Sequence, residues 1–283
     1  MADAVRLAFV TDIHHGKKSL TKDGPAALGL LDEFRRFAAE ARVDAVVDLG
    51  DRISDVSREA DLVLEREVAE AFAPFTAPRI HVDGNHDVDY LTVADNDSIF
   101  RRNAGHEVRD IGDWRLVVWR ADTRIHWPGT FALVDSDLEW LAETVRTADR
   151  PLVIVGHVPL SGQSQTGNFW FENNPQYATF PTVARVRAAL REATVPVVSI
   201  SGHVHWNSLT TVDGVAHLSL QSLTETFTTD GEASGAFGLL ELSDRVLWRV
   251  HGADPFEWSG DRTRLSRKWK APLPPFADMR RKR

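Results

Sequence analysis

Five segments of this chain end on side chains that can hold a metal ion: Asp12 and His14, then Asp51, then Asn85 and His86, then His157, then His203 and His205. Each follows a short apolar run. Asp12/His14 and His203/His205 are spaced by two, and in extended chain residues i and i+2 project to the same side, so each pair can converge on one ion. Singly, each has a bland explanation: an Asp capping a helix, a His satisfied in the core. Five strand ends that all do this are harder to explain that way, because buried polar and charged groups are costly without partners. Read jointly, they point to a dinuclear metal site. The set exceeds a tetrahedral zinc site and suits two ions that share a carboxylate and keep positions for solvent. Two divalent ions offset by the carboxylates of Asp12 and Asp51 and one hydroxide retain a net positive charge, which attracts a phosphate. Ions roughly 3.5 to 4 Å apart can lower the pKa of a bridging water, bind a phosphoryl oxygen and stabilise the departing oxygen of an in-line displacement.

Such a site needs strand ends gathered on one edge. Val5 to Val10 reads as a buried strand opening into Thr11-Asp12-Ile13-His14. Apolar residues at Ala27, Leu30, Leu31, Phe34, Phe37, Ala38 and Ala41 recur at helical spacing. Val43 to Leu49 is a strand ending at Gly50-Asp51, Arg58 to Phe72 a second helix, and Arg79 to Val82 a strand leading to Gly84-Asn85-His86-Asp87. This alternation predicts parallel strands whose carboxyl ends share an edge. A hairpin follows at His106 to Ile111 and Trp114 to Trp119, then a helix at Asp135 to Thr147 and a strand at Pro151 to Val155 before His157. Ser161 to Phe180 is long and aperiodic, as functional loops often are. A helix near Val183 to Arg191 and a strand at Val195 to Ile200 lead to His203. Ser208 to Val212, Val215 to Leu220, Ala236 to Leu242 and Val246 to Val250 read as antiparallel strands. From Asp254 on there is no periodicity, so the expected division is a domain over 1–253 and a wrapped or frayed extension over 254–283.

Of 283 residues, 43% are hydrophobic, enough for one full core. The net charge is −8, and only the run Arg280 to Arg283 concentrates positive charge, which argues against a nucleic-acid partner. With no cysteine, a metal must be held by His, Asp, Glu or Asn, and a Cys nucleophile is excluded. The start Met-Ala-Asp-Ala-Val-Arg has no leader pattern and no apolar stretch approaches the ~20 residues of a membrane span, so the expected location is cytoplasmic. Gly162-Gln163-Ser164-Gln165-Thr166 fails as a nucleophile elbow at Thr166, where that turn needs Gly.

The blocks Asp12-Ile13-His14, Gly50-Asp51, Gly84-Asn85-His86-Asp87, Gly156-His157 and Gly202-His203-Val204-His205, in that order over Val10 to His205, resemble the calcineurin-like metallophosphoesterase superfamily. The pattern is nearest to class III cyclic-nucleotide phosphodiesterases and bacterial glycerophosphodiesterases. The resemblance implies an α/β fold, a four-layer α/β/β/α sandwich of two mixed sheets flanked by helices, with the strands after His205 finishing the second sheet. It implies that Asp12, His14, Asp51 and His205 bind one metal and Asp51, Asn85, His157 and His203 the other, Asp51 bridging; N and O ligands accept manganese, iron or zinc. It makes His86 the group that contacts the phosphate and protonates the leaving oxygen, with Asp55 and Asp87 orienting these groups. The implied activity is hydrolysis of a small-molecule phosphodiester, with a phosphomonoesterase or nucleotide-diphosphate hydrolase as the alternative. A silent binding scaffold is the rival of another class, although scaffolds of this kind lose ligands. The extra Arg blocks of the superfamily's protein phosphatases find no clear counterpart here, although Arg52 follows Asp51 directly. Phe169-Trp170-Phe171 reads as core, as a substrate wall or as a homodimer contact. The remaining histidines are read as surface or core, with His15 and His217 the nearest to exceptions.

Overall fold

In a computed structural model, the structure describes residues 4–126, 128–265, 268–270 and 272–280. Residues 1–3, and the basic run at 280–283 apart from the backbone of Arg280, lie outside the described residues.

Two six-stranded mixed sheets pack face to face. The first runs in the order β12 (Phe256–Asp261), β11 (Arg245–His251), β10 (Phe237–Leu242), β1 (Val5–Val10), β2 (Ala45–Asp48), β3 (Arg79–His81). The second runs β4 (Glu107–Ile111), β5 (Trp114–Val118), β6 (Leu152–Val155), β7 (Val197–Ser201), β9 (Val215–Ser219), β8 (Ser208–Val212). β1, β2 and β3 are parallel, as are β5, β6, β7 and β9. Their carboxyl ends therefore open toward one rim, where the ligand-type residues follow.

The pleat explains the layers. In β1, Leu7 and Phe9 enter the core between the sheets, while Ala8 and Val10 face the outer helices. β6 does the same with Val153 and Val155 inward and Leu152 and Ile154 outward. Strands buried on both faces read as continuous apolar runs, which is how parallel strands appear in sequence. α1 (Ala27–Ala41) buries Ala27, Leu31, Phe34 and Ala38, one stripe at helical spacing, and packs with α2 (Arg58–Phe72) on the first sheet. Ser57 caps α2, its hydroxyl accepting from the amide of Ala60. On the second sheet lie α4 (Asp135–Arg146), through Leu138, Leu141 and Val145, and α5 (Val183–Leu190), through Val186, Ala189 and Leu190. The result is the four-layer α/β/β/α sandwich.

Three local expectations change. β10 and β11 do not finish the second sheet. β10 pairs antiparallel with β1, from Val5 opposite Leu242 to Phe9 opposite Gly238, and carries β11 with it into the first sheet. Composition marks a strand but not its partner, and the free side of β1 is the edge that this hairpin completes. Phe256–Asp261 is not irregular; it forms β12, with Trp258 opposite Trp248 of β11. Its alternation with Glu257, Ser259 and Asp261 belongs to an edge strand whose second face meets water. Finally, α3 (Val93–Phe100) was not anticipated, although Thr92 and Asp95 form a capping box at its start. No helix of the described residues is long and apolar enough to cross a membrane.

Candidate metal centre

The rim gathers the ligand-type residues into two groups joined at Asp51. Asp12, His14, Asp51 and His205 bring ligand atoms within 4.8 Å of one another, and so do Asp51, His157 and His203. Asp51 Oδ2 lies 3.4 Å from His157 Nε2 and 3.8 Å from His14 Nε2, so one carboxylate oxygen faces both groups. Asn85 joins the second group, its Oδ1 lying 3.3 Å from His157 Nε2.

Backbone geometry places these side chains. Asp12, His14, Asp51, His203 and His205 have φ of 48°, 47°, 55°, 71° and 58°, the left-handed region that β-strand ends seldom use. Such conformations cost about 1 to 3 kcal/mol each and persist where surrounding structure enforces them. The enforcement comes from neighbouring strand ends: the amide of Asp12 donates to Gly50 O, that of His14 to Asp51 O, and that of His203 to Asp12 Oδ2 at 2.9 Å. Two glycines allow the close approach. A Cβ at Gly84 would sit 2.1 Å from Asp51 Oδ1, and one at Gly202 would sit 1.8 Å from Thr11 Oγ1 and 2.5 Å from Asp12 Oδ2.

The outer nitrogens of the histidines are held. His157 Nδ1 donates to Leu49 O at 2.9 Å, His203 Nε2 to Tyr177 O at 2.7 Å, and His205 Nδ1 to Glu225 at 2.6 Å. Each bond fixes the tautomer that leaves the other ring nitrogen as a lone pair for an ion. Around that space the polar atoms lack ordinary partners. Asp12 Oδ1 is buried without a hydrogen bond of ordinary geometry, its nearest charged neighbour being His205 Nε2 at 3.2 Å, and Nε2 of His14 and of His205 face each other at 3.1 Å. Cations placed among them would satisfy all of these atoms, so the donor set fits two divalent ions.

The electrostatics agree. Burial raises the carboxyls of Asp12 and Asp51, but the charges of His205 on the first and of His157 and His86 on the second outweigh it and hold both below the usual carboxylate range. Burial lowers His157 and His205, yet Asp51 and Asp12 respectively overcome it and bring each to about 9. His203 is pushed down to about 3 by burial and by the charge of His157. Protons on His157 and His205 thus balance the buried carboxylates, and ions would displace them.

His86 stands beside the two groups rather than within them. Its Nδ1 bonds to Asp55, its amide donates to Asp51 Oδ1 at 2.8 Å, and its Nε2 faces the cavity 3.9 Å from Asp51 Oδ2. Asp55 is raised by burial, but its bond to His86 holds it below its ordinary value. Asp87 lies behind the site: its carboxylate accepts from the amides of Asp51, Gly84 and Arg52, stapling two ligand turns together, and burial pushes it up to about 6. Arg52 is fully buried, bonded to Glu65, Asp48, Asp83 and Val82 O, so its guanidinium is not available to a substrate. His15 bonds to Glu67 and His217 is buried in β9; neither belongs to the ligand groups.

The site opens into a cavity of about 360 Å³. Phe169, Trp170 and Phe227 line one part of it and Lys22 another. The aromatic triplet is split, because Phe171 is buried against His203 with ring centroids 5.0 Å apart, whereas Phe169 and Trp170 are half exposed. Sequence reasoning missed Glu225, Lys22 and Phe227, which come from loops with no periodic signal and no repeated spacing.

Sequence comparison with curated proteins finds no match. Among solved structures, the chain is similar to a dimetal phosphatase from Danio rerio, at 15% identity and a TM-score of 0.74 over 91% of this chain and 99% of that one. It is also similar to the purple acid phosphatase PPD1 from yellow lupin (Lupinus luteus) seeds, at 14% identity and 0.68 over 98% of this chain and 57% of that one. A third is GAP50, the anchor in the inner membrane complex of Plasmodium, at 13% identity and 0.55 over 92% and 89%. These likenesses establish the fold, which serves both phosphatases and an anchor. The sequence profile of the calcineurin-like phosphoesterases matches residues 5–207, so the chain belongs to the calcineurin-like phosphoesterase family.

Proposed function

We propose that this protein hydrolyses small-molecule phosphoesters, a phosphodiester foremost, at a two-metal centre. The observation that carries this reading is the single oxygen of Asp51 facing His157 on one side and His14 on the other. Two ions of manganese, iron or zinc would supply a polarised phosphoryl oxygen and an activated water at neutral pH. Asp12, His14, Asp51 and His205 would hold one ion, and Asp51, Asn85, His157 and His203 the other.

The remaining steps belong to the chain's own groups. His86 offers Nε2 to the leaving oxygen, while Asp55 on Nδ1 fixes the ring plane and aims that nitrogen at the cavity. The Phe169 and Trp170 rings, turned to the cavity, serve as substrate wall rather than homodimer contact, and a cavity of about 360 Å³ suits one phosphate and a modest organic group. The intact ligand set favours an enzyme over the scaffold alternative.

The test is to strip the protein, reload it with manganese, iron or zinc, and offer cyclic nucleotides, glycerophosphodiesters, nucleotide-sugar diphosphates and phosphomonoesters. Turnover is expected with two ions bound, fastest on a diester. Faster turnover of monoesters selects the monoesterase reading, and two bound ions without turnover of any phosphoester supports a scaffold.

A further inference from the structure

The segment that carries the aromatic wall is fastened to the loop that carries two of the histidine ligands, and one buried side chain ties the aromatic turn to that loop. Asn168 is 3% exposed. Its Oδ1 accepts from the amides of Trp170 at 3.1 Å and Phe171 at 3.0 Å, which shapes the turn that leaves Phe169 and Trp170 half exposed at the cavity and Phe171 buried in its wall. Its Nδ2 donates at 2.8 Å to the carbonyl of Val204, the residue between His203 and His205. Around this bond, Phe171, Ala178 and Val204 form a small apolar cluster of their own, with Tyr177 and Trp206 packed against it. The same segment returns to the site at Tyr177, whose carbonyl takes the Nε2 proton of His203. Ser161 to Phe180 is therefore no free-standing cover: it holds the loop that carries His203 and His205 at two places, Val204 O and His203 Nε2.

We propose that Asn168 is a positioning residue that couples the aromatic wall to retention of the second metal through His203, so that the rings recognising the substrate's organic group and the ion acting on its phosphate move as one body. Partners that orient metal ligands are typically worth 10- to 100-fold in metal affinity. The inference rests on His203 being a metal ligand, so His203→Ala is measured beside it.

Asn168→Asp keeps an acceptor for the turn amides and sets an oxygen against the Val204 carbonyl. Stripped wild type and both variants are titrated with Mn²⁺ by calorimetry, and kcat/KM at saturating Mn²⁺ is compared for a phenyl and a methyl phosphodiester. We expect Asn168→Asp to weaken one of the two binding events about 10-fold or more. The melting temperature of the stripped protein should fall by no more than several degrees, and the preference for the phenyl ester should fall about fivefold if one well-placed ring contact of roughly 1 kcal/mol is lost. Either change without the other overturns the coupling. So does a lower melting temperature with wild-type metal binding, which is the signature of a purely structural residue. If His203→Ala loses an ion and Asn168→Asp does not, the coupling alone fails; if His203→Ala still binds two ions, the metal assignment itself fails. Should Asn168→Asp not fold, Asn168→Ser, whose hydroxyl serves the turn but is too short to reach Val204, is held to the same outcomes.

Discussion

Glu225 accepts a hydrogen bond from Nδ1 of His205 at 2.6 Å and is itself 2% exposed. A buried carboxylate there fixes the ring so that Nε2 faces Asp12 and His14, and it strengthens the imidazole as a ligand. Glu225→Gln keeps an acceptor and removes the charge, and should weaken metal binding about 10-fold; Glu225→Ala should approach 100-fold. Calorimetric titration of the stripped protein measures both. Affinities equal to wild type would leave Glu225 a structural group only.

Asp51 is expected to bridge the two ions. Asp51→Asn removes a negative charge and leaves one oxygen where two groups of ligands converge, so at least one ion and nearly all turnover should be lost. Elemental analysis that finds two metals in an active Asp51→Asn protein removes the bridge.

Gly202 offers a test of how tightly the strand ends are fitted. A methyl group there would overlap Thr11 Oγ1, which is buried and donates to Asp12 Oδ2 at 2.6 Å, so neither atom can yield without disturbing a ligand. Overpacking of this kind costs about 1 to 3 kcal/mol. Gly202→Ala should lower the melting temperature and reduce bound metal together. A stable protein with full metal content would mean that the β1 and β7 ends have slack.

These tests address parts of the molecule that differed in how far they could be read from sequence. The two-fold spacing in Asp12/His14 and His203/His205, and the apolar runs before them, are local properties, so the strands, the shared rim and the Asp and His side chains gathered there were legible. Pairing is not local. That β10 lies beside β1 rather than in the second sheet depends on which edge remains open after β1, β2 and β3 have assembled. The same limit hid Glu225, which meets His205 only because the chain after β9 passes back over the rim, and it left Phe171 indistinguishable from Phe169 and Trp170. Arg52 shows the opposite hazard: its place after Asp51 brought the Arg blocks of the protein phosphatases to mind, but its guanidinium is consumed by Glu65, Asp48 and Asp83 in the core.

His217, in the second sheet, gives stability a pH dependence of its own. Burial, assisted by the charge of Arg187, lowers it from 6.5 to about 4. The folded state keeps this ring neutral, whereas the unfolded chain takes up a proton as pH falls below about 6.5, so unfolding binds protons and stability drops on acidification. The loss is spread between pH 6.5 and about 4 and amounts to at most about 3 kcal/mol. His217→Leu should flatten the stability profile in that window relative to wild type and leave it unchanged above pH 7. Denaturant unfolding of both proteins at pH 4.5, 5.5 and 7.5 measures the difference, and parallel profiles would assign the acid sensitivity to other groups.

His86 is placed to protonate a leaving oxygen: Asp55 holds one ring nitrogen while the other faces the cavity beside Asp51. An alkoxide is a poor leaving group and benefits from a proton, an effect typically on the order of 10² to 10⁴ in rate. A nitrophenolate departs without help. His86→Ala should therefore cost about 10² or more on an alkyl or ribose ester and far less on a nitrophenyl ester, with both metals still bound. Using two substrates on one variant separates this role from phosphate binding, whose loss would slow both alike. Asp55→Asn should show the same selectivity in weaker form, because it leaves the ring in place but weakens the contact that orients Nε2 toward the leaving oxygen. Equal penalties on both esters in His86→Ala would make His86 a phosphate contact and not the proton donor.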